Sequence, residues 1–151
     1  VNDRQIEKIL GSRFIIDKKL RDSGAVTTFE ATDKKEKIKC RIRVLHAWKM
    51  VVKPELKRIV DETGRANVLR HPNIIHGIEG GMMDKTPYIV TRAPVGNLLQ
   101  EILAKEKGPV SIQNTLKIAS GIAMGLDYAH KNGFIHKGLS PSCVYVSNTG
   151  D

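Results

Sequence analysis

Cysteines are scarce in this sequence, with only Cys40 and Cys143 among its 151 residues. Two cysteines cannot build a disulfide framework, and they cannot close a four-ligand zinc site because the histidines lack zinc-finger spacing. We therefore expect two free, buried thiols and a reducing, cytoplasmic compartment. The chain also lacks an apolar run of about 18 residues, so the sequence predicts no membrane-spanning helix. It begins at Val1 without a signal segment, and we expect it to be part of a longer polypeptide.

Aromatic residues are few as well, at 5% of the chain, although the formal net charge is +9. Much of the positive charge lies in the segment Lys34–Arg43. Such a segment can attract nucleic acid, an anionic membrane surface or an acidic protein. Nucleic-acid binding usually adds stacking aromatics or a recognisable motif, and this sequence has few aromatics and no such motif. We therefore favour a solvated basic hairpin, and we expect neither nucleic acid nor a membrane as the partner.

The first part of the chain has the period-two pattern of β-strands. In Ile38–Leu45 apolar residues alternate with basic ones, so Arg41 and Arg43 are predicted to share one strand face. Two more strands are predicted at Arg13–Leu20 and Val26–Thr32. Short polar connections between these segments favour an antiparallel sheet.

Helical signals begin at Pro54, which suits the first turn of a helix that we predict to run to about Arg70. Glu62 falls on the apolar stripe of this helix. A carboxylate there needs a cationic partner, unless it lies at the edge of the stripe and reaches solvent. The later predicted elements are strands at Ile75–Gly80 and Tyr88–Thr91 and helices at Leu98–Lys105 and Ser111–Lys131.

The last of these helices carries the longest apolar stripe, and Gly133 beyond its end is predicted to be a left-handed cap. The spacing of the stripe indicates a face packed in the core. Its members are Ile112, Leu116, Ala119, Ile122, Ala123 and Leu126.

After this helix comes the segment His136–Cys143, with the sequence His-Lys-Gly-Leu-Ser-Pro-Ser-Cys. Together with His71–Ile74 and Tyr88–Val90, in this order and spacing, it resembles a Ser/Thr-type protein kinase from its first strand to just past the catalytic loop. The resemblance implies an α+β fold, with an antiparallel N-lobe sheet carrying one helix and the start of a helical C-lobe. The implied organisation is a lead-in at 1–12, an N-lobe at 13–91, a hinge at 92–97 and a partial C-lobe at 98–151.

The catalytic positions implied by the resemblance have lost their chemistry. His136 keeps the position of the motif histidine, where we expect a structural hydrogen-bonding role. Gly138 stands where the family has the aspartate that accepts the substrate proton. Ser140 replaces the lysine that stabilises the transferred phosphoryl group, and Cys143 replaces the asparagine that binds magnesium. The resemblance is therefore to a pseudokinase.

The glycine-rich loop that closes over ATP phosphates in the family is also degenerate. By the implied register its three glycine positions hold Arg21, Ser23 and Val26. Gly24 lies between them and does not restore the motif, so we expect it to be an ordinary hairpin-turn glycine rather than part of a phosphate cradle.

On the third strand, Arg43 takes the place of the family's phosphate-binding lysine, and Glu62 takes that of its helix partner. Arginine can bind a carboxylate bidentately, so this ion pair is expected to persist. Arg41 replaces the small alanine that packs on adenine, and we expect the two arginines to fill and charge the nucleotide cleft, with Arg41 reaching solvent as the alternative. Thr91 and Ala93 align with the residue behind the adenine pocket and with the hinge.

Three functions follow from these observations. The first is a non-catalytic regulatory or scaffolding domain, with no cofactor expected and with a protein or another domain of its own polypeptide as partner. The second is a divergent Ser/Thr kinase that retains weak phosphotransfer with ATP and magnesium. The third is a binding module whose basic hairpin, Lys34 to Arg43, meets an anionic partner.

Overall fold

The computed structural model describes residues 6, 10, 12–46, 64, 67–83, 86–106, 108 and 110–147. Its main feature is a five-stranded antiparallel sheet with the strand order β1-β2-β3-β5-β4. The strands are β1 (Phe14–Asp22), β2 (Val26–Asp33), β3 (Ile38–Leu45), β4 (Gly77–Met83) and β5 (Thr86–Arg92). All five strands predicted from the sequence are present, with ends that differ by a few residues.

β2 and β3 pair without a bulge, from Val26 opposite Leu45 to Asp33 opposite Ile38. Side chains of one parity therefore all point to the same side. On that side lies a hydrophobic core to which Ile6 and Leu10 also contribute. Its other buried members are Phe14, Phe29, Ala31, Cys40, Ile42, Val44, Met83 and Val90.

A polar network adjoins this core where β2 ends. The carboxylate of Asp33 has no exposed surface and accepts hydrogen bonds from the Arg13 guanidinium, the shorter at 2.7 Å. Asp33 also accepts the backbone N–H groups of Lys35 and Glu36, and so shapes the turn into β3. Arg13 reaches a second carboxylate, that of Glu79, at 2.7 Å. The network thus connects the start of β1, the β2–β3 turn and β4.

The described part of the chain divides into two compact units. The first comprises residues 1–68 and 76–93, and the second residues 69–75 and 94–151. The second unit contains a two-stranded sheet of β6 (Asn97–Leu98) and β7 (Tyr145–Val146), the helices α1 (Leu99–Lys105) and α2 (Ile112–Lys131), and a 3-10 helix at Pro141–Cys143.

Helix α2 has well-formed ends. At its start the Ser111 hydroxyl accepts the Asn114 N–H. At its end Gly133 has φ +79, Gly133 N–H donates to His130, and Phe134 N–H donates to Ala129. These bonds form a Schellman motif and confirm the predicted left-handed cap.

The segment Leu69–Ile75 packs within the second unit. His71 stacks on the Tyr128 ring with 5.1 Å between ring centroids. Asn73 lies against α2 at Gly125, where a β-carbon would come within 3.0 Å of the Asn73 carbonyl oxygen. Gly125 is the one buried residue of α2, so this contact determines where the segment meets the helix.

The prediction that the apolar stripe of α2 is core is wrong for the described residues. Ile112, Leu116, Ala119 and Ala123 are exposed, Ile112 by 79%, while Ile122 and Leu126 are half-buried. Helical periodicity shows that a face is apolar, but it does not show what covers that face. In the described residues no segment of the chain covers this stripe.

The helix predicted from Pro54 to Arg70 falls mainly outside the described residues, and so does Glu62. Its end was predicted too late, since residues 67–70 are not helical. Pro72 shortly afterwards disfavours helical backbone in the residue before it, which is consistent with an earlier end. None of the described helices has the length and hydropathy that a membrane crossing requires.

The buried ion pair leads to a stability prediction. Replacing Asp33 by Asn removes the charge that pairs with Arg13 but keeps the shape, and we expect the free energy of unfolding to fall by about 2 kcal/mol. Urea denaturation followed by circular dichroism measures this. Asp17→Asn is the matched control, because Asp17 pairs with Lys39 on the surface, and it should lower the urea midpoint far less. Equal effects of the two changes would contradict the assignment.

The same carboxylate gives a pH dependence. Burial opposes the charged form of Asp33, but the hydrogen bonds from Arg13 and from the turn amides outweigh it and lower its pKa. A lowered folded-state pKa stabilises the fold above the unfolded-state pKa of about 4, and this stabilisation is lost as the pH falls through the folded-state value. The stability difference between the unaltered chain and Asp33→Asn should therefore be full at pH 7 and shrink below about pH 4. A difference that does not change with pH would contradict this.

Candidate functional site

The segment from His136 to Cys143 is held in place by its flanks. Beyond it, β7 pairs with β6, and Leu99 N–H donates to the Val144 carbonyl. Within it, Lys137 has φ +60, and the 3-10 helix begins at Pro141, whose fixed φ suits a first-turn position. The side chains of the segment therefore occupy defined places in an exposed loop.

Those side chains bond to one another. The Ser140 hydroxyl lies 2.7 Å from the Ser142 hydroxyl and 3.5 Å from the Cys143 sulfur. The thiol also lies 3.5 Å from the Gly138 carbonyl oxygen, and the Gly138 N–H lies 3.4 Å from His136 Nδ1. The structure thus brings together all four predicted residues. Together with Ser142 they offer two hydroxyls, a thiol and an imidazole, but neither a carboxylate nor an ammonium group.

Cys143 corrects the expectation of two buried thiols, because it is exposed whereas Cys40 is buried. The difference follows from position: Cys40 lies on the core face of β3, and Cys143 lies in a surface turn. Burial raises the pKa of the Cys40 thiol to about 11. The sequence did not distinguish the two, because free cysteine is usually buried.

The hairpin between β1 and β2 is closed by its own side chains. Gly24 has φ +73 and donates its N–H to the Asp22 carboxylate at 2.9 Å. Val26 N–H donates to the Ser23 hydroxyl at 3.1 Å, and Ser23 N–H donates to the Val26 carbonyl. The bond from the Gly24 amide lowers the Asp22 pKa. The capping by Asp22 was not predicted, although Asp-Ser-Gly is a typical turn sequence.

The strand pairing gives the positions on β3. Arg43 lies opposite Thr28 of β2 and Ile89 of β5, and Arg41 lies opposite Glu30 and Thr91. Directly opposed residues share a face, so both arginines lie on the side of the sheet away from the core. Arg41 is half-buried, whereas Arg43 is exposed. Ala93 follows β5, and its N–H donates to the Lys39 carbonyl.

Known proteins share the sequence features and the fold of this chain. Residues 21–150 match the family described as protein tyrosine and serine/threonine kinase. The chain belongs to this family. It is 27% identical over 145 residues to a probable serine/threonine-protein kinase of Clostridium perfringens, and the alignment covers 96% of this chain and 21% of the relative.

A second relative is the probable serine/threonine-protein kinase PknB of Lactococcus lactis, 27% identical over 148 residues, with 97% of this chain and 23% of the relative covered. The kinase-like chain therefore spans about a fifth of the length of these two relatives. Among solved structures, the Mycobacterium tuberculosis PknI kinase domain matches with a TM-score of 0.80 and 21% identity. The match covers 91% of this chain and 56% of that one, and it confirms the kinase fold.

The described residues do not test the predicted ion pair of Arg43, and among them no metal site is found. Glu62, the expected partner of Arg43, lies outside them, so the ion pair remains a prediction. Within the part of the chain that the structure describes, no group of three or more His, Cys, Asp or Glu side chains could hold a metal ion. The side chains at the magnesium-binding position of the catalytic loop are a poor match to that ion, because magnesium prefers oxygen ligands and Cys143 offers sulfur.

The contrast between the cysteines predicts their reactivity. In the native protein we expect one thiol, Cys143, to react promptly with a disulfide reagent at neutral pH, and Cys40 to react only after denaturation. Thiol titration with and without denaturant gives the two counts. Cys143→Ser should abolish the prompt reaction, while Cys40→Ser should leave it unchanged. A prompt reaction that persists in Cys143→Ser would show that Cys40 is accessible.

Proposed function

We propose that this kinase-like domain does not transfer phosphate by the usual route and instead acts as a regulatory or scaffolding module. The observation that carries the proposal is the hydrogen-bonded group of Gly138, Ser140 and Cys143 in the catalytic loop. Phosphoryl transfer by kinases depends on charges in place before reaction: a carboxylate for the substrate hydroxyl, a cation for the phosphoryl oxygens and bound magnesium. None of these three residues supplies such a charge.

The β1–β2 hairpin supports the proposal independently. In active kinases the backbone of the glycine-rich loop approaches the ATP phosphates. Here the Gly24 and Val26 amides are already occupied by Asp22 and Ser23. A phosphate in the usual place would have to break these hydrogen bonds and would meet the negative charge of Asp22. Both features make binding of a magnesium nucleotide at the hairpin unfavourable.

The elements that build the fold remain while the catalytic groups are absent. The sheet has a fully packed core, and the His71 to Ile74 segment lies against α2 as a unit. A domain that retains its packing without its chemistry is suited to presenting surfaces to other proteins or to other domains of its own polypeptide. We propose such protein contacts as its role, without a requirement for ATP or magnesium.

A divergent Ser/Thr kinase is the second candidate, and the names of the relatives favour it. Both the Clostridium and the Lactococcus proteins are named probable serine/threonine-protein kinases. Activity by this chain would require Arg43 to bind phosphate and a base from another segment to replace the missing aspartate. The two candidates differ in whether magnesium-dependent phosphotransfer occurs.

The test is a thermal-shift measurement on the natural polypeptide that contains this domain, with ATP at millimolar concentration in magnesium or in a chelator. A ligand that binds only the folded state raises the melting temperature. We expect magnesium to add nothing to any shift that ATP causes, and we expect radiolabelled ATP to give no phosphorylation of a generic substrate above background.

The variant Gly138→Asp serves as the comparison, since a β-carbon at this position meets no atom within 4 Å and the change should leave the fold intact. If the aspartate is the missing base, any residual phosphotransfer should rise in this variant. Magnesium-dependent phosphotransfer by the unaltered protein that disappears in Arg43→Ala would refute the proposal and establish the divergent kinase.

A further inference from the structure

The end of α2 carries the one Asn-Gly pair of the sequence, Asn132 followed by Gly133. An asparagine in this context is chemically labile, because the backbone nitrogen of the next residue can attack the side-chain amide and glycine has no side chain to hinder the approach. Both residues are exposed, so water and base reach them. The pair is therefore a candidate site of spontaneous chemical modification.

The reaction at such a pair is deamidation. The Gly133 nitrogen, after losing its proton to base, forms a bond to Cγ of Asn132, and the bond from Cγ to the side-chain nitrogen breaks with release of ammonia. The resulting succinimide ring takes up one water molecule at either of its carbonyl groups and opens to aspartate or isoaspartate. The net change exchanges an amide and water for a carboxylic acid and ammonia, so no oxidant, metal or second protein is needed.

The backbone conformation of the helix cap keeps the reacting atoms apart. Asn132 has φ −95 and ψ 10. A ψ near zero places the Gly133 nitrogen close to eclipsing the Asn132 nitrogen about the Cα–C bond, and therefore away from the side chain that it must reach. Ring closure requires rotation about this bond, which takes Asn132 out of its cap conformation.

Hydrogen bonds hold both reacting groups in place. The Gly133 N–H donates to the His130 carbonyl at 2.9 Å, and the Asn132 side-chain amide donates to the Tyr128 carbonyl at 2.8 Å. The attack requires both bonds to break, because the Gly133 nitrogen must lose its proton and the side-chain amide must turn towards it. The left-handed cap and the modification therefore exclude each other.

The product cannot rebuild the same cap. A carboxylate at position 132 has no N–H to donate, so its oxygens would face the Tyr128 carbonyl oxygen as acceptor against acceptor. Its negative charge would also lie at the C-terminal end of a helix, where the unpaired carbonyl groups are already negative. Isoaspartate in addition lengthens the backbone by one carbon before Gly133. Each product therefore favours an open helix end.

We propose that Asn132 is a site of spontaneous deamidation and that opening of the last turn of α2 sets the rate of the reaction. The modified end leads within a few residues into the segment His136–Cys143. Deamidation thus supplies a slow, irreversible change at the entrance to this loop. The proposal goes beyond the regulatory or scaffolding role and does not depend on whether the domain transfers phosphate.

The test is incubation of the natural polypeptide that contains this domain in mildly alkaline buffer, followed by peptide mass mapping that separates aspartate from isoaspartate. A synthetic peptide spanning residues 128–136 is the unstructured reference. We expect Asn132 to react about tenfold or more slowly in the folded protein than in the peptide, because two hydrogen bonds must break first. We also expect it to react faster than the other asparagines, none of which precedes a glycine.

Lys131→Gly tests whether opening of the helix end sets the rate. Lys131 is exposed in the last turn and pairs with Asp127 at 2.7 Å. Glycine removes this pair, a cation at the helix C-terminus and helix propensity, but leaves Asn132 and Gly133 in place. The rate in the folded protein should rise about threefold or more, while the rate in the corresponding peptide should change by less than about twofold.

Lys117→Gly is the matched control, because it makes the same substitution at an exposed position of α2 several turns away from the cap. It should change the rate by less than about twofold. Circular dichroism before incubation shows whether both variants are folded, and the comparison of the unaltered protein with the peptide needs no variant.

Three results would overturn the proposal. They are a rate in the folded protein equal to that in the peptide, no modification of Asn132 even in Lys131→Gly, and equal acceleration in Lys117→Gly. The last result would mean that the reaction follows unfolding of the whole helix rather than opening of its end. No nucleotide takes part in these measurements, so the proposed function is judged separately.

Discussion

The unbroken antiparallel pairing of β2 with β3 is the constraint on which the sheet depends. It directs Phe29, Ala31, Cys40 and Ile42 to one side, where they are fully buried. The same pairing directs the side chains at the alternate positions to the other side, whichever residues occupy them. Arginines at two such positions on β3 therefore lie away from the core without disturbing it. The residue types on that other side can therefore differ from those of other kinases while the packing of the core is unaffected.

The replacements at the kinase motif positions have a common physical character. In the catalytic loop, groups that carry or organise charge are replaced by Gly138, Ser140 and Cys143, which satisfy one another by weak hydrogen bonds. At the β1–β2 hairpin, amides that would be free for phosphate are occupied by the loop's own Asp22 and Ser23. In both places local hydrogen bonding replaces a preorganised electrostatic site. Positive charge remains on the face of the sheet away from the described core, carried by the side chains of Arg41 and Arg43.

Much of the fold could be predicted from residue pattern. Alternation in Ile38–Leu45 predicts the central strand and its two faces, and Gly133 predicts the end of α2, because both are local consequences of backbone geometry. The order of the short motifs predicts the kinase fold. Other features were out of reach. The two register shifts between β1 and β2 depend on which residues of β2 lie opposite, and the exposure of Cys143 depends on where its turn lies in the surface. Neither is encoded in a local pattern.

The sequence by itself therefore determined the five strands, the helices α1 and α2 and the residue types at each kinase position, since these depend on neighbours along the chain. Only the tertiary structure decided that Asp33 is buried beneath Arg13, and that Cys143 is exposed whereas Cys40 is buried. The physical reason is the same in each case. Strand register and side-chain burial are set by contacts between residues far apart in sequence. A periodic pattern shows which residues share a face, but it does not show which segment packs against that face.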